Sequence, residues 1–75
     1  MATLHYKKHI VISRPRLDEN LGVWVPYASV AWQSDDGFRF HRFSDLAKAF
    51  SAEEEAEAFG LVVARAWVDE QVKLG

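Results

Sequence analysis

The stretch Phe50 to Val72 reads as one long amphipathic helix, and it constrains the fold more than any other part of the chain. Ser51-Ala52-Glu53-Glu54 has the form of a capping box, in which the serine hydroxyl accepts a backbone N–H and Glu54 reaches back. Acids in the first turn oppose the positive end of the helix dipole. On a 100° wheel Ala52, Ala56, Phe59, Val63, Ala66 and Trp67 share one face, the expected core stripe. Gly60 beside it costs about 1 kcal/mol in a helix interior. The expected return is close approach of the helix to whatever it covers.

What precedes the helix has the period of strands. His5 to Ser13 carries Tyr6, Ile10 and Ile12 on one parity. Arg14-Pro15-Arg16 ends that strand, since proline cannot donate to a ladder. Leu17 to Gly22 is expected to be a loop. Val23 to Gln33 is a second strand with Trp24, Val30 and Trp32 on its core parity, and Pro26 puts its first half at an edge or a bend. Ser34-Asp35-Asp36-Gly37 is a hairpin turn with the positive φ supplied at its end. Phe38 to Phe43 is the third strand. Residues 44–49 fit either a single helical turn or a loop. The prediction is an α+β single domain over 1–75, a three-stranded antiparallel β-meander with one C-terminal helix on one face. Its core is Ile10, Ile12, Trp24, Val30, Trp32, Phe38, Phe40, Phe59, Val63 and Trp67.

At 75 residues the stability margin is thin, because a chain this short buries only about 60–65% of its unfolded surface. With no cysteine, disulfides and thiolate metal sites are excluded. The N-terminal apolar run, Ile10-Val11-Ile12, is too short for a secretory signal, and nothing approaches a membrane span of about 20 apolar residues. The expectation is a cytoplasmic protein without membrane contact.

The net charge of −2 is unevenly spread. Lys7, Lys8, Arg14 and Arg16 make the start basic, and Glu53, Glu54, Glu55, Glu57, Asp69 and Glu70 make the end acidic. Two binding surfaces are expected. Leu61, Val68 and Val72, with Arg65 beside them, lie opposite the core stripe and form a candidate protein interface, most simply for a second copy of the chain. Lys7, His9, Tyr27, Arg39 and His41 fall on the outer sheet face, where cations interleaved with an aromatic suit a nucleic acid.

Catalytic chemistry has little to stand on. His5 and His9 lie about 13 Å apart if they share one continuous strand, too far for one metal ion. The glycines at 22, 37, 60 and 75 are isolated, so no phosphate loop exists. The first-turn glutamates lack the burial or close like charge that tunes a carboxylate for acid–base work. No catalytic residue, metal or cofactor is assigned. The function expected is a small non-enzymatic protein-interaction module, homodimeric through the outer helix face. The alternative is a nucleic-acid-binding accessory protein using the outer sheet face.

Phe50-Ser51-Ala52-Glu53-Glu54-Glu55-Ala56, followed by Ala64-Arg65-Ala66-Trp67-Val68-Asp69, carries a resemblance, together with Trp24-Val25-Pro26 and Val30-Ala31-Trp32. From Trp24 onward the chain resembles short bacterial proteins of unknown function, which have an aromatic β-meander and a helix ending in a tryptophan–aliphatic–aspartate element. The resemblance implies a fold and transfers no site. A looser likeness, in sheet-plus-helix construction alone, is to the incomplete double-stranded-RNA-binding-like folds of antitoxin-type proteins. Asp69 sits where the helix dipole disfavours an acid, so a nearby Lys or Arg is expected to pair with it. Trp67 is read as a core anchor. Its replacement by alanine is expected to cost about 3–5 kcal/mol in denaturant unfolding, and a loss below about 1 kcal/mol would leave the indole free of the core.

Overall fold

A computed structural model describes residues 1–43 and 48–74; the choice between turn and loop at 44–49 falls largely outside them. The described residues form an α+β arrangement of six strands and one C-terminal helix. The strands are β1 (Ala2–Tyr6), β2 (His9–Ser13), β3 (Arg16–Asp18), β4 (Val23–Val25), β5 (Ala28–Ser34) and β6 (Gly37–Phe43). The helix, α1, spans Glu53–Leu74. Strands β1-β2-β5-β6 make one antiparallel sheet in that order, and β3-β4 make a second.

The expected three strands become six for two reasons. The first is a tight hairpin at Lys7-Lys8. Both lysines adopt left-handed backbone, with φ of 48° and 65°. Positive φ at both central residues is the geometry whose twist suits a two-residue β-hairpin, and Asn-Gly is its usual sequence signature. The turn folds Tyr6 back onto His9 and Leu4 onto Val11. The expected continuous strand from His5 to Ser13 is therefore two strands.

The second reason is a pair of prolines. Pro15 and Pro26 interrupt what is otherwise one long hairpin, separating β2 from β3 and β4 from β5. The Arg14 N–H donates to the Tyr27 carbonyl at 2.8 Å and bridges the interruption. Asp18 closes the far end, its carbonyl accepting from the Gly22 N–H at 2.7 Å and its carboxylate from the Asn20 and Leu21 N–H groups. Gly22 supplies the φ of 66° that this turn needs. The expected Ser34–Gly37 hairpin is present, with Gly37 at a φ of 121°.

The Lys7-Lys8 turn sets which side chains of β1 and β2 share a face. The register aligns Leu4, Val11, Val30 and His41 in one row, Ala2, Ser13, Ala28 and Phe43 in the next, and Tyr6, His9, Trp32 and Arg39 in a third. Val11 and Val30 in the first row and Val68 on the helix are fully buried. Each such side chain contributes roughly 1.5–3 kcal/mol relative to exposure. Val30 and Trp32 hold their expected places. Ile10, Ile12, Phe38 and Phe40 do not: they belong to the opposite parity and stand on the uncovered face.

The helix is also rotated from the expected stripe. Its buried residues are Ala56, Gly60, Ala64 and Val68, one residue per turn and mostly small. Small side chains let the helix backbone settle onto the sheet. At Gly60 the approach is closest: a Cβ there would lie 2.5 Å from the Ser13 hydroxyl oxygen. That hydroxyl is fully buried and donates to the Glu57 carbonyl at 2.8 Å. Larger residues flank the stripe. Trp67 packs its ring 5.3 Å from that of Trp32, the contact expected of both, and Phe59 meets Phe50 at 5.4 Å. Phe50 also pairs with Trp24 through two backbone hydrogen bonds, fixing the approach to the helix.

Gly60→Ala gains about 1 kcal/mol of helix propensity. It also forces the Ser13 hydroxyl off its carbonyl partner, and an unsatisfied buried group costs about 1–3 kcal/mol. The expected result in urea unfolding is a net loss of stability in the native background. In a Ser13→Ala background the same substitution should be neutral or stabilising, since the next atoms stand at an ordinary 3.5 Å. Equal losses in both backgrounds would place the obstruction elsewhere.

Candidate nucleic-acid interface

The face of the sheet away from the helix is built from the other parity. Thr3, Ile12, Ser29 and Arg42 form one row across the strands, and His5, Ile10, Ala31 and Phe40 form the next. Gln33 and Phe38 continue it towards the β5–β6 turn. Phe38 and Phe40 are 63% and 71% exposed, two residues apart on the same side of β6. Rings this open on a sheet face are unusual, because exposed apolar surface is ordinarily scattered.

Beside Phe40 the bend at the prolines leaves an open hollow of about 690 Å³. Arg14, Arg16 and Arg42 line it together with Tyr27 and Ile12. The Arg16 guanidinium lies over the Tyr27 ring, 5.4 Å from its centroid. Neither the rows of the outer face nor the lining of the hollow includes an acid. The helix, on the other side of the sheet, carries Glu53, Glu54, Glu55, Glu57, Asp69 and Glu70. The overall negative balance therefore coexists with a hollow that, among the described residues, is lined by cations and no acid, while Asp18 borders an adjoining one with Arg16 and Tyr27.

Of the five residues expected on that face, Tyr27 alone lines the hollow. Lys7 sits in the β1–β2 turn and donates to the Asp69 carboxylate at 2.6 Å. His9 faces Trp32 on the helix side at 5.6 Å, and a ring nitrogen contacts the Lys7 carbonyl. Arg39 is in the helix-side row and pairs with Asp36. His41 stacks flat on Trp67, with centroids 4.5 Å apart and planes 3° from parallel. The hairpin also sets His5 and His9 on opposite faces of the sheet, and among the described residues no cluster of His, Asp and Glu could hold a metal ion.

The expected helix patch is not assembled on the surface. Val68 is fully buried in the core and Leu61 packs against it. Arg65 lies over the Tyr6 ring at 4.9 Å, and Val72 alone of the aliphatic residues stays about half exposed. The wheel reading weighted large apolar residues towards the sheet, whereas the contact selects small ones.

Arg14, Arg16, Arg42, Phe38 and Phe40 were not in the predicted set. The alternation of Phe38 and Phe40 with Arg39 and His41 points the rings to the core as the apolar side of β6. The signal that finds them is the two-residue turn at Asp35-Asp36, which pairs Trp32 with Arg39 and Gln33 with Phe38, so the rings stand on the parity away from Val30 and Trp32.

Two ion pairs show resolved electrostatics. The Lys7 ammonium and the Tyr6 hydroxyl hold the Asp69 carboxyl below its ordinary value of 3.8, and Asp69 in turn holds Lys7 above 10.5. Ser34 and then Arg39 lower the Asp36 carboxyl in the β5–β6 turn. Neither pair is in the hollow. No protein-family model matches the chain, and no match is found among curated proteins or solved structures. Among the described residues no helix is long and apolar enough to cross a membrane.

The Asp69 arrangement predicts a pH window. A depressed folded-state carboxyl contributes stability above its unfolded pKa and loses it as pH falls through the folded value. A raised lysine contributes below its unfolded pKa and loses it as pH rises through the folded value. The stability difference between the native chain and Asp69→Asn should therefore be widest from about pH 5 to 9 and shrink at both extremes. A difference that falls in acid but not in alkali would show that Asp69 acts through Tyr6 alone, and one flat at both extremes would show that neither contact of its carboxylate stabilises the fold.

Proposed function

We propose that this chain is a small non-enzymatic binding module, a nucleic-acid-binding accessory protein that holds single strands on its outer sheet face. The observation that carries the reading is the pairing of open aromatic rings with a hollow rich in arginine: Phe38 and Phe40 stand exposed beside Arg14, Arg16 and Arg42, and no acid is among the described residues that line the hollow. Single strands offer unstacked bases, which stack on aromatic rings at about 1–3 kcal/mol per base. Phosphates set between the bases reach guanidinium groups that donate in forked pairs. A duplex hides its base faces, so the exposed phenylalanines favour the single strand. A second copy packed face to face would bury the same rings but brings no anionic group in its own outer face.

The test is fluorescence anisotropy with labelled 12-nucleotide single strands and a matched duplex at low salt. Binding is expected in the micromolar range typical of contacts led by phosphate, about 10⁻⁶–10⁻⁴ M. Phe40→Ala should weaken it by about 5- to 100-fold, the equivalent of one stacked base. Arg42→Gln should lower the slope of log affinity against log salt by about 0.7, one phosphate contact of a single strand. No anisotropy change up to about 100 μM, the weak end of that range, or equal affinity for the duplex, would overturn the reading.

A further inference from the structure

Strand β6 is an edge, and its features differ from those of a protected edge. It pairs with β5 alone among the described residues. Its register runs unbroken over seven pairs, so no bulge twists it away. It contains neither lysine nor proline; Arg39 and Arg42 are its charged residues, one on each face, and Phe38, Phe40 and Phe43 supply three of its seven residues. In an antiparallel ladder every second residue turns its N–H and C=O to the far side, so β6 presents a row of such groups with no strand among the described residues to receive them. The aromatic platform lies on this same edge, and a base stacked on Phe40 has sheet beneath it on one side only.

We propose that a second copy of the chain pairs with β6 antiparallel about a two-fold axis at Phe40, joining the two sheets into one of eight strands. The side-chain chemistry fits that register. On the outer face Phe40 meets Phe40 of the second copy, and Phe38 meets Arg42 of the second copy in both directions. Cross-strand ring pairs and guanidinium-on-ring pairs are both favourable. No two cations are set opposite one another on that face. On the helix side Arg39 meets His41 of the second copy. The Arg39 charge is already met by Asp36, and His41 is already stacked on Trp67. The platform then runs through the dyad and carries four phenylalanines with an arginine hollow at each end. This inference rests on the single-strand reading for its purpose, and on β6 alone for its geometry.

The absence of native cysteine makes the contact directly testable. A single cysteine is introduced either at the dyad, Phe40→Cys, or on the far edge, Thr3→Cys. Mild oxidation should join the Phe40→Cys chains at least ten-fold faster than the Thr3→Cys chains. Sedimentation equilibrium of the native chain should show a concentration-dependent dimer. Strand titrations of the native chain should saturate at one long oligonucleotide per two chains. A native chain that stays monomeric to millimolar concentration, or equal oxidation rates at the two positions, would overturn the contact. A native chain that dimerises in sedimentation and binds no single strand keeps this contact and removes the reading under it. A single strand held by one monomer does the reverse.

Discussion

The seating of α1 on the sheet at Gly60 and Ser13 governs the rest of the molecule. The helix comes close because it offers Ala56, Gly60 and Ala64 where larger residues would hold it away. The Ser13 hydroxyl fills the space a Cβ would need and satisfies the Glu57 carbonyl at the same time. That contact fixes which parity of β2 and β5 is dry. Once Val11 and Val30 are covered, Ile10, Ile12, Phe38 and Phe40 have no second layer to meet among the described residues. The open aromatic face is thus a direct consequence of helix placement.

Much of this architecture is legible in the sequence, and the exceptions have identifiable causes. The helix, the Asp36-Gly37 hairpin, the Trp32–Trp67 contact, the tight approach at Gly60 and a basic partner for Asp69 all follow from local chemistry. The Lys7-Lys8 turn does not, because lysine carries no preference for left-handed backbone and the pair lacks the usual Asn-Gly signature. Missing it puts Tyr6 on the side of Ile10 and Ile12, in a run apolar on both sides, where the register sets it with Leu4 and Val11. On β6 the exchange of Arg39 and His41 with Phe40 and Arg42 has its own cause, the two-residue turn at Asp35-Asp36, which pairs Trp32 with Arg39 and Val30 with His41. The helix stripe fails for a different reason: hydropathy ranks Phe59 and Val63 above Gly60 and Ala64, yet backbone proximity favours the smaller residues.

Charge is divided between layers. The helix carries six of the eleven acids and faces away from the outer sheet surface, where Arg42 stands in the strand rows and Arg14 and Arg16 flank the bend. A polyanion approaching this molecule meets repulsion on one side and attraction on the other. Within the ~8–10 Å range of unscreened interaction at moderate salt, that difference orients the encounter before contact. A net charge near neutrality is therefore a poor guide to what such a thin, two-layered chain can bind.

The Lys7-Lys8 turn has one further effect. Two lysines in left-handed backbone are held against their own preference by the Lys7 and Tyr6 contacts to Asp69, near the far end of α1. The first hairpin and the last helical turns thus share a fate. Loosening one withdraws the support of the other, so amide protons in both regions should exchange together as a single opening unit, although more than sixty residues separate them along the chain.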